Sequence, residues 1–446
     1  MMTRIYAARW VVPVSAPPIE NGAVAIEGPR IVGVGGRYEI VGRFPESRVE
    51  NLGEAIILPG LINTHTHLEL TAMRGYLEQE ETDFFAWLRK LTHARLKLLT
   101  ADDLQVSATW GACEAVRAGI TCAGDASDSA MTSMEALREV GMRGVVYQES
   151  FGPDPKLAQE NFSNLEEKVQ RLRAFENELV RLGVSPHAPY TVCGPQLELI
   201  AKLASDKQLP LMMHAAESEA EDLFVREGCG TFAEGLARRS IEWNTPRMST
   251  ISYLNQVGIL GTRPLLAHCI RVDDADIEMI RDTGARIAHC PKSNAKLGHG
   301  RAPFAKFIEA GISVGLGSDS VASNNTCDML EEARFAALLS RSANHPISAD
   351  QVLKSATIGG AACFDMDIGQ LTEGFQADLT AVSLTNLHQI PSYDPVATLI
   401  FASSGRDVIM TMIAGREVCR DGKITGVDQE RLHARMNEIT EKLNRG

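Results

Sequence analysis

The sequence predicts an α/β chain. Residues 58–367 form a (β/α)8 barrel of the TIM type, and residues 1–57 plus 368–446 form a small β-sandwich domain with a terminal helix. Three observations predict this. From about residue 56, eight short apolar runs alternate with longer segments of helical period, the pattern of repeated βαβ units. Polar residues of metal-ligand or acid–base type end the runs, and a barrel of this kind builds its active site at the C-terminal ends of its strands. Both chain ends read as short strands broken by glycine and proline. A doubly wound open sheet is the alternative. It would carry a glycine-rich phosphate loop after its first strand, where this chain has histidines.

Taken in order, residues 5–12, 22–26 and 31–34 are strands separated by Gly-Pro and Gly-Gly turns. The eight barrel runs follow at 56–65, 121–126, 144–149, 184–187, 209–214, 265–269, 285–289 and 313–319. Between them, stretches such as 104–118 and 134–140 repeat their apolar residues at helical spacing. Strand-like runs resume at 374–382, 408–413 and 417–419, and 427–445 is charged and amphipathic, as a terminal helix is. The two β-rich ends are expected to fold together beside the barrel.

The 446 residues, 44% of them hydrophobic, suit one large domain with an accessory piece. A net charge of -13 argues against a nucleic-acid or anionic-membrane partner. The nine cysteines form no Cys-x-x-Cys pair and read as reduced, buried thiols, not as a disulfide framework or zinc ribbon. No stretch approaches the roughly 18 uninterrupted apolar residues of a membrane span, and the first residues lack the apolar core of a secretory signal. The expectation is a cytoplasmic protein that acts on a small molecule.

His65 and His67 end the first run. Side chains at i and i+2 share one face of a strand, so both imidazoles point one way, as two ligands of one metal do. Asp125 ends the second run, Gln148 and Glu149 the third, His187 the fourth, His214 the fifth, His268 the sixth, His289 the seventh and Asp319 the eighth. Core histidines satisfied by chance partners would not all gather at one end of the strands. His65, His67, His214 and Asp319 offer three imidazoles and a carboxylate, donors suited to one divalent metal, Zn²⁺ or Fe²⁺, more than to Ca²⁺ or Mg²⁺. A catalytic ion keeps a position open for water, whose pKa it lowers toward neutrality. Glu217 lies three residues past His214, close to such an ion without being obliged to bind it, which suits a general acid/base. The plain alternative is a solvated glutamate beside Glu219 and Glu221. His268 would orient the water or polarise the substrate, and His289 would either contact substrate or only line the pocket.

The chain resembles the amidohydrolase superfamily, in its cytosine deaminase and methylthioadenosine/S-adenosylhomocysteine deaminase branch. The matching pieces are Pro59-Gly60-Leu61-Ile62-Asn63-Thr64-His65-Thr66-His67, Ser185-Pro186-His187-Ala188-Pro189-Tyr190, His214-Ala215-Ala216-Glu217, Ala267-His268-Cys269, Ser293-Asn294-Ala295-Lys296-Leu297-Gly298 and Gly317-Ser318-Asp319-Ser320. They come in the family's order and span the barrel. The resemblance implies a mononuclear metal hydrolase, because the fourth strand ends in Ser185-Pro186-His187 and offers no bridging lysine. By similarity His65, His67, His214 and Asp319 hold the metal. Activated water attacks a ring carbon bearing an amino group and Glu217 protonates the adjacent ring nitrogen. Asp319 moves a proton to the leaving ammonia, His268 steadies the water and His187 contacts the ring. A homo-oligomer is a family-level expectation. The other zinc-deaminase type carries a Pro-Cys-x-x-Cys signature that is absent here.

The resemblance also bears on the substrate. Trp87 falls where related nucleoside deaminases set an aromatic side chain against the substrate. Leu96 stands where methylthioadenosine-type enzymes use a glutamate for the ribose hydroxyls, and Gln148 where they use an arginine for the homocysteine carboxylate. Glu69, two residues past His67, is similar to aminodeoxyfutalosine deaminases, in which it would bind ribose; a purely structural hydrogen bond is the alternative. The expected substrate is a 5′-modified adenosine, aminodeoxyfutalosine first and methylthioadenosine or S-adenosylhomocysteine second. Two further readings remain: a triazine-type chlorohydrolase, and a non-catalytic scaffold of the same fold. Chloride leaves without a proton, so Glu217 favours deamination, and scaffolds typically lose ligands that this chain keeps.

Overall fold

The structure, a computed structural model, describes residues 3–445. Five strands come first: β1 (Arg4–Val11), β2 (Ile19–Glu27), β3 (Arg30–Gly36), β4 (Arg48–Asn51) and β5 (Ala55–Pro59). The barrel strands follow: β6 (Leu61–Thr66), β7 (Ile120–Ser127), β8 (Arg143–Ser150), β9 (Val180–Pro186), β10 (Met212–Ala215), β11 (Leu265–His268), β12 (Arg286–His289) and β13 (Val314–Leu316). The chain closes with β14 (Leu379–Ser383), β15 (Val408–Ile413), β16 (Arg416–Arg420), β17 (Lys423–Ile424) and a helix over Gln429–Arg445.

The two chain ends share one nine-stranded sheet in the order β17-β16-β15-β14-β5-β1-β2-β3, with β4 beside β1. The sheet carries an apolar cluster of its own. Tyr6, Val24, Ile57, Leu379, Ala381 and Met410 belong to one apolar cluster. On the other face of β1 and β2, Ile5, Ala7, Ala23 and Ala25 pack against Ile40 of the helix Arg37–Arg43. The two halves of the expected sandwich are therefore hydrogen-bonded to each other.

The apolar run at 56–65 is two strands in line. β5 pairs with β1 and β14, whereas β6 pairs with β7. Gly60 is the joint. Its N–H donates to the carbonyl of Asp378 at 2.9 Å, and a Cβ there would sit 2.1 Å from Thr121 Oγ1. Both strands are fully buried, so the sequence shows no change of period at the break.

β6–β9 and β10–β13 are two parallel four-stranded arcs. A bridge between Val184 and Leu211 and a hydrogen bond from His214 N to His187 O at 2.9 Å join them on one side. On the other, Asp319 N donates to His65 O at 2.9 Å and Thr64 Oγ1 to Leu316 O at 2.8 Å. Ile62, Ala126, Met212, Leu265, Ala267 and Ala288 fill the ring's interior. The helix Ala101–Arg117 starts on a reciprocal Thr100–Asp103 cap, and Ile439 and Leu443 of the terminal helix are buried alongside the β6–α insertion. That insertion includes the helix Phe84–His93 and forms one wall of the main cavity.

Candidate active site

Four side chains separated by up to 254 residues in sequence meet at the strand ends. His65 Nε2 lies 3.5 Å and His67 Nε2 3.6 Å from Asp319 Oδ1, and His67 Nε2 lies 3.3 Å from His214 Nε2. His214 Nδ1–H donates to the carbonyl of His187 at 2.9 Å, which leaves a lone pair on Nε2. His67 is likewise held through the Ala126 backbone. Both ring nitrogens of His65 are buried and have no hydrogen-bond partner. Protonation does not relieve the crowding: burial, then neighbouring histidines, hold His67 down at about 3 and His214 well below its ordinary value. Lone pairs of neutral imidazoles and a carboxylate face one another at spacings that two donors on a tetrahedral ion, each at about 2.0–2.1 Å, would show. Neutral rings in such proximity fit a cation among them, and their backbone hydrogen bonds fix which nitrogen is offered.

Asp319 is prepared as the anionic member. Burial alone would raise its pKa, but the His65 imidazole 3.5 Å away, with His268 and His67, brings it well below the carboxylate range. Ser293 Oγ and Ser323 Oγ donate to its Oδ2 at 2.5 and 2.7 Å, and Ser320 N donates to Oδ1 at 2.6 Å. Left-handed backbone recurs here on residues that are not glycine: Ala216 (φ 51), His268 (φ 73), Cys269 (φ 47) and Asp319 (φ 56). Such conformations persist where the surroundings over-determine them, as they do at functional sites.

Glu217 is buried, not solvated. Its pKa is raised well above the ordinary value by burial first, then by Asp319 and Glu221. Its Oε1 lies 3.7 Å from His268 Nε2 and 3.7 Å from His299 Nε2, and Tyr190 Oη donates to Oε2 at 3.3 Å. His268 Nδ1–H donates to Asn294 Oδ1 at 2.8 Å, so Nε2 presents a lone pair toward Glu217 and the ligand cluster. Glu221 is fully buried and pins the loop: its carboxylate accepts from Ala216 N at 2.8 Å, Glu217 N at 2.9 Å and Thr250 Oγ1 at 3.1 Å.

A cavity of about 490 Å³ opens over this floor. Phe84, Trp87, Leu88, Leu91 and Leu297 make one wall, and Glu69, Arg95, Asp128 and Glu149 another. Of the expected substrate contacts, Glu69, Trp87 and His187 line it. Glu69 Oε2 accepts from Ser127 Oγ at 2.7 Å and Ser129 N at 3.2 Å, and its Oε1 lies 3.8 Å from Arg95. Gln148 is placed elsewhere: its amide donates to the carbonyls of Asp128 and Glu149 at 2.8 and 2.9 Å, and the neighbouring Glu149 faces the cavity instead. His289 also lies outside it. On β12 Ala288 faces the barrel interior and Ile287 the helix layer, so His289 turns outward and stacks on Phe304 at 4.7 Å beside a separate cavity. The side-chain alternation of a strand decides this, and the run 285–289 by itself does not reveal which parity is inward.

Sequence reasoning missed Arg95, Tyr190, Glu221, Asn294 and His299. Tyr190 and Asn294 lie inside motifs whose neighbours drew attention, and His299 follows one of them. Arg95, among Lys90, Lys97 and Arg89 on a helical stretch, carries no signal.

A closed α/β ring with a three-histidine, one-aspartate cluster and a buried carboxylic acid at its mouth defines a metal-dependent hydrolase. The chain belongs to the amidohydrolase family, whose model matches residues 56–418, and it is a hydrolase of the aminohydrolase type that acts on C–N bonds of cyclic amidines. It is 31% identical over 428 residues to a 5-methylthioadenosine/S-adenosylhomocysteine deaminase of Nitratidesulfovibrio vulgaris, covering 94% of this chain and 92% of that one. It is 32% identical over 403 residues to a 5′-deoxyadenosine deaminase of Methanopyrus kandleri, with 89% of each covered. Among solved structures, an adenosine deaminase from Xanthomonas campestris with bound zinc superposes with a TM-score of 0.88 at 26% identity, over 100% of this chain and 99% of that one. Among the described residues, no helix is long and apolar enough to cross a membrane.

Proposed function

We propose that the protein hydrolytically deaminates the adenine ring of a nucleoside with a modified 5′ group. His65, His67, His214 and Asp319 would hold one divalent ion, zinc in preference to iron. When bound, that ion supplies Lewis-acid activation of water near neutral pH. Glu217, whose carboxyl burial raises well above its ordinary value, donates to the ring nitrogen beside the carbon under attack, so charge does not build on the ring. His268 accepts a hydrogen bond from the attacking water through Nε2, a tautomer set by Asn294. Asp319 accepts one of the water's protons and returns it to the amino group, which leaves as ammonia only once protonated, and the other proton, lost as the new C=O forms, restores the Glu217 carboxyl. His187, with its Nδ1 held 2.8 Å from Thr191 Oγ1, presents its other edge to the purine.

The observation that carries this reading is the raised, buried Glu217 carboxyl beside the ligand cluster. A scaffold needs neither acid nor ligands, and of the two proton transfers only the one from Asp319 to the leaving group would be superfluous in a chlorohydrolase. The names of the two similar relatives favour a 5′ carbon that bears hydrogen, a methylthio group or a homocysteine thioether. The cavity's aromatic wall and the exposed Arg239 at its rim favour the larger, aromatic, anionic arm of aminodeoxyfutalosine. Ammonia release by the zinc-loaded protein from adenosine, 5′-methylthioadenosine, S-adenosylhomocysteine, aminodeoxyfutalosine, guanine, cytosine and chloro-triazines tests the reading. Turnover of the 5′-modified adenosines above the rest is expected. Turnover of no aminopurine would overturn it.

A further inference from the structure

A second cavity, of about 480 Å³, lies at the other pole of the barrel, where the strands begin. Arg181, the second residue of β9, and Arg286, the first of β12, both line it. Strand register turns both inward. Arg181 is paired with Val145 and Arg286 with Leu265, and Val145 and Leu265 belong to the apolar cluster that fills the ring. Branched apolar side chains ordinarily fill such an interior, so cations there need partners. The protein supplies only some of them. Arg181 donates to the carbonyl of Phe364, and Arg286 to that of Cys363 at 3.2 Å, both at the end of the helix Gly360–Phe364. Arg286 also pairs with Asp365, whose side chain is 68% exposed. Arg263, exposed at the same cavity, bonds to none of the described residues. Three guanidiniums therefore line the cavity against one carboxylate, in a chain whose net charge is -13.

Tyr147 points to a ligand independently. It is 1% exposed and lines the same cavity, and its hydroxyl has no hydrogen-bond partner among the described residues. A buried phenol ordinarily finds a partner. Burial raises its pKa while Arg181 and Arg286 oppose, so both positive charges act on its oxygen. We propose that this cavity binds the phosphate group of a small organic phosphate, held by Arg181, Arg263 and Arg286 with Tyr147 donating its hydroxyl. A guanidinium presents paired N–H groups that match phosphate oxygens, and a doubly charged phosphate balances the excess of positive charge. The cavity shares no lining residue with the one over the metal cluster, so the proposal stands apart from the choice of nucleoside.

The test is calorimetric titration of the zinc-loaded, full-length protein at low ionic strength with fructose 1,6-bisphosphate, inorganic phosphate and citrate. One bisphosphate per chain is expected, with a Kd below about 1 mM that rises as sodium chloride is added. Inorganic phosphate should bind more weakly and be displaced by the bisphosphate. Arg263→Ala removes a side chain on which no protein contact depends, and should raise the Kd about tenfold or more. Tyr147→Phe keeps the ring and loses only the hydroxyl, and should raise it about threefold to tenfold. No saturable binding of either phosphate to the wild type would overturn the proposal whether or not any variant folds. So would a Kd unchanged in either variant, which would place the phosphate elsewhere on the protein. Citrate binding more tightly than both phosphates would make the cavity a carboxylate site and overturn the phosphate assignment.

Discussion

Replacing Glu221 with alanine tests the claim that the acid Glu217 is placed by a buried carboxylate four residues away. Glu221 is 0% exposed and accepts from the N–H groups of Ala216 and Glu217 and from Thr250 Oγ1. Its loss leaves two buried N–H groups without partners, each costing about 1–3 kcal/mol, so the variant should be about 2–6 kcal/mol less stable. The cost depends on pH. Burial raises the Glu221 pKa from 4.5 to about 7, with its hydrogen-bond donors opposing. A carboxyl raised in the folded state contributes its full stability below the unfolded value and loses it as pH rises through the folded one. The difference between wild type and variant should therefore shrink between pH 5 and pH 8, by at most about 3 kcal/mol at about 1.4 kcal/mol per unit. Urea-unfolding midpoints of the metal-free protein at both pH values measure this without metal linkage. In the zinc-loaded enzyme kcat/KM should fall about tenfold to a hundredfold, because an acid displaced by an ångström no longer meets the ring nitrogen. Midpoints and kcat/KM within error of wild type at both pH values would refute the reasoning.

Chelating the metal should abolish turnover, with recovery on adding zinc. It should also lower the unfolding midpoint, since an ion bound only by the folded state adds about 4 kcal/mol at a thousandfold excess over its Kd; an unchanged midpoint would count against the four-ligand cluster. The raised Glu217 pKa, set by burial and then by Asp319 and Glu221, predicts that kcat/KM falls on the alkaline side as the donor ionises, with the accompanying stability also lost as pH rises. A flat alkaline limb would remove the acid role. His289→Leu should leave kcat/KM within about twofold, since the ring packs on Phe304 outside the main cavity, and a large loss would restore it to the site. Gly60→Ala should destabilise the protein by about 2–4 kcal/mol in thermal or urea unfolding, because its Cβ would meet Thr121 Oγ1 at 2.1 Å.

The convergence of His65, His67, His214 and Asp319 was legible because these residues sit at strand ends, and repeated βα units place every such end on one rim. His65 and His67 were legible for a simpler reason, the two-residue period of a strand. The same period misled at His289, where the run is apolar on both faces and parity has to be read from what surrounds it. It also exchanged Gln148 for Glu149, neighbours on one strand that differ only in the direction they face. His268 escapes its strand's parity by a left-handed backbone, which no spacing rule foresees.

The amino-acid order alone therefore determined the alternation of elements, the shared rim and the chemical type of each ligand, because these depend on local periodicity and side-chain chemistry. Tertiary structure alone decided that Glu217 is buried with its pKa raised, that Glu221 and Asn294 fix their partners, and that Glu149 rather than Gln148 lines the cavity. Burial and the distance between charges set a proton's affinity and a side chain's exposure, and both are properties of the folded surroundings.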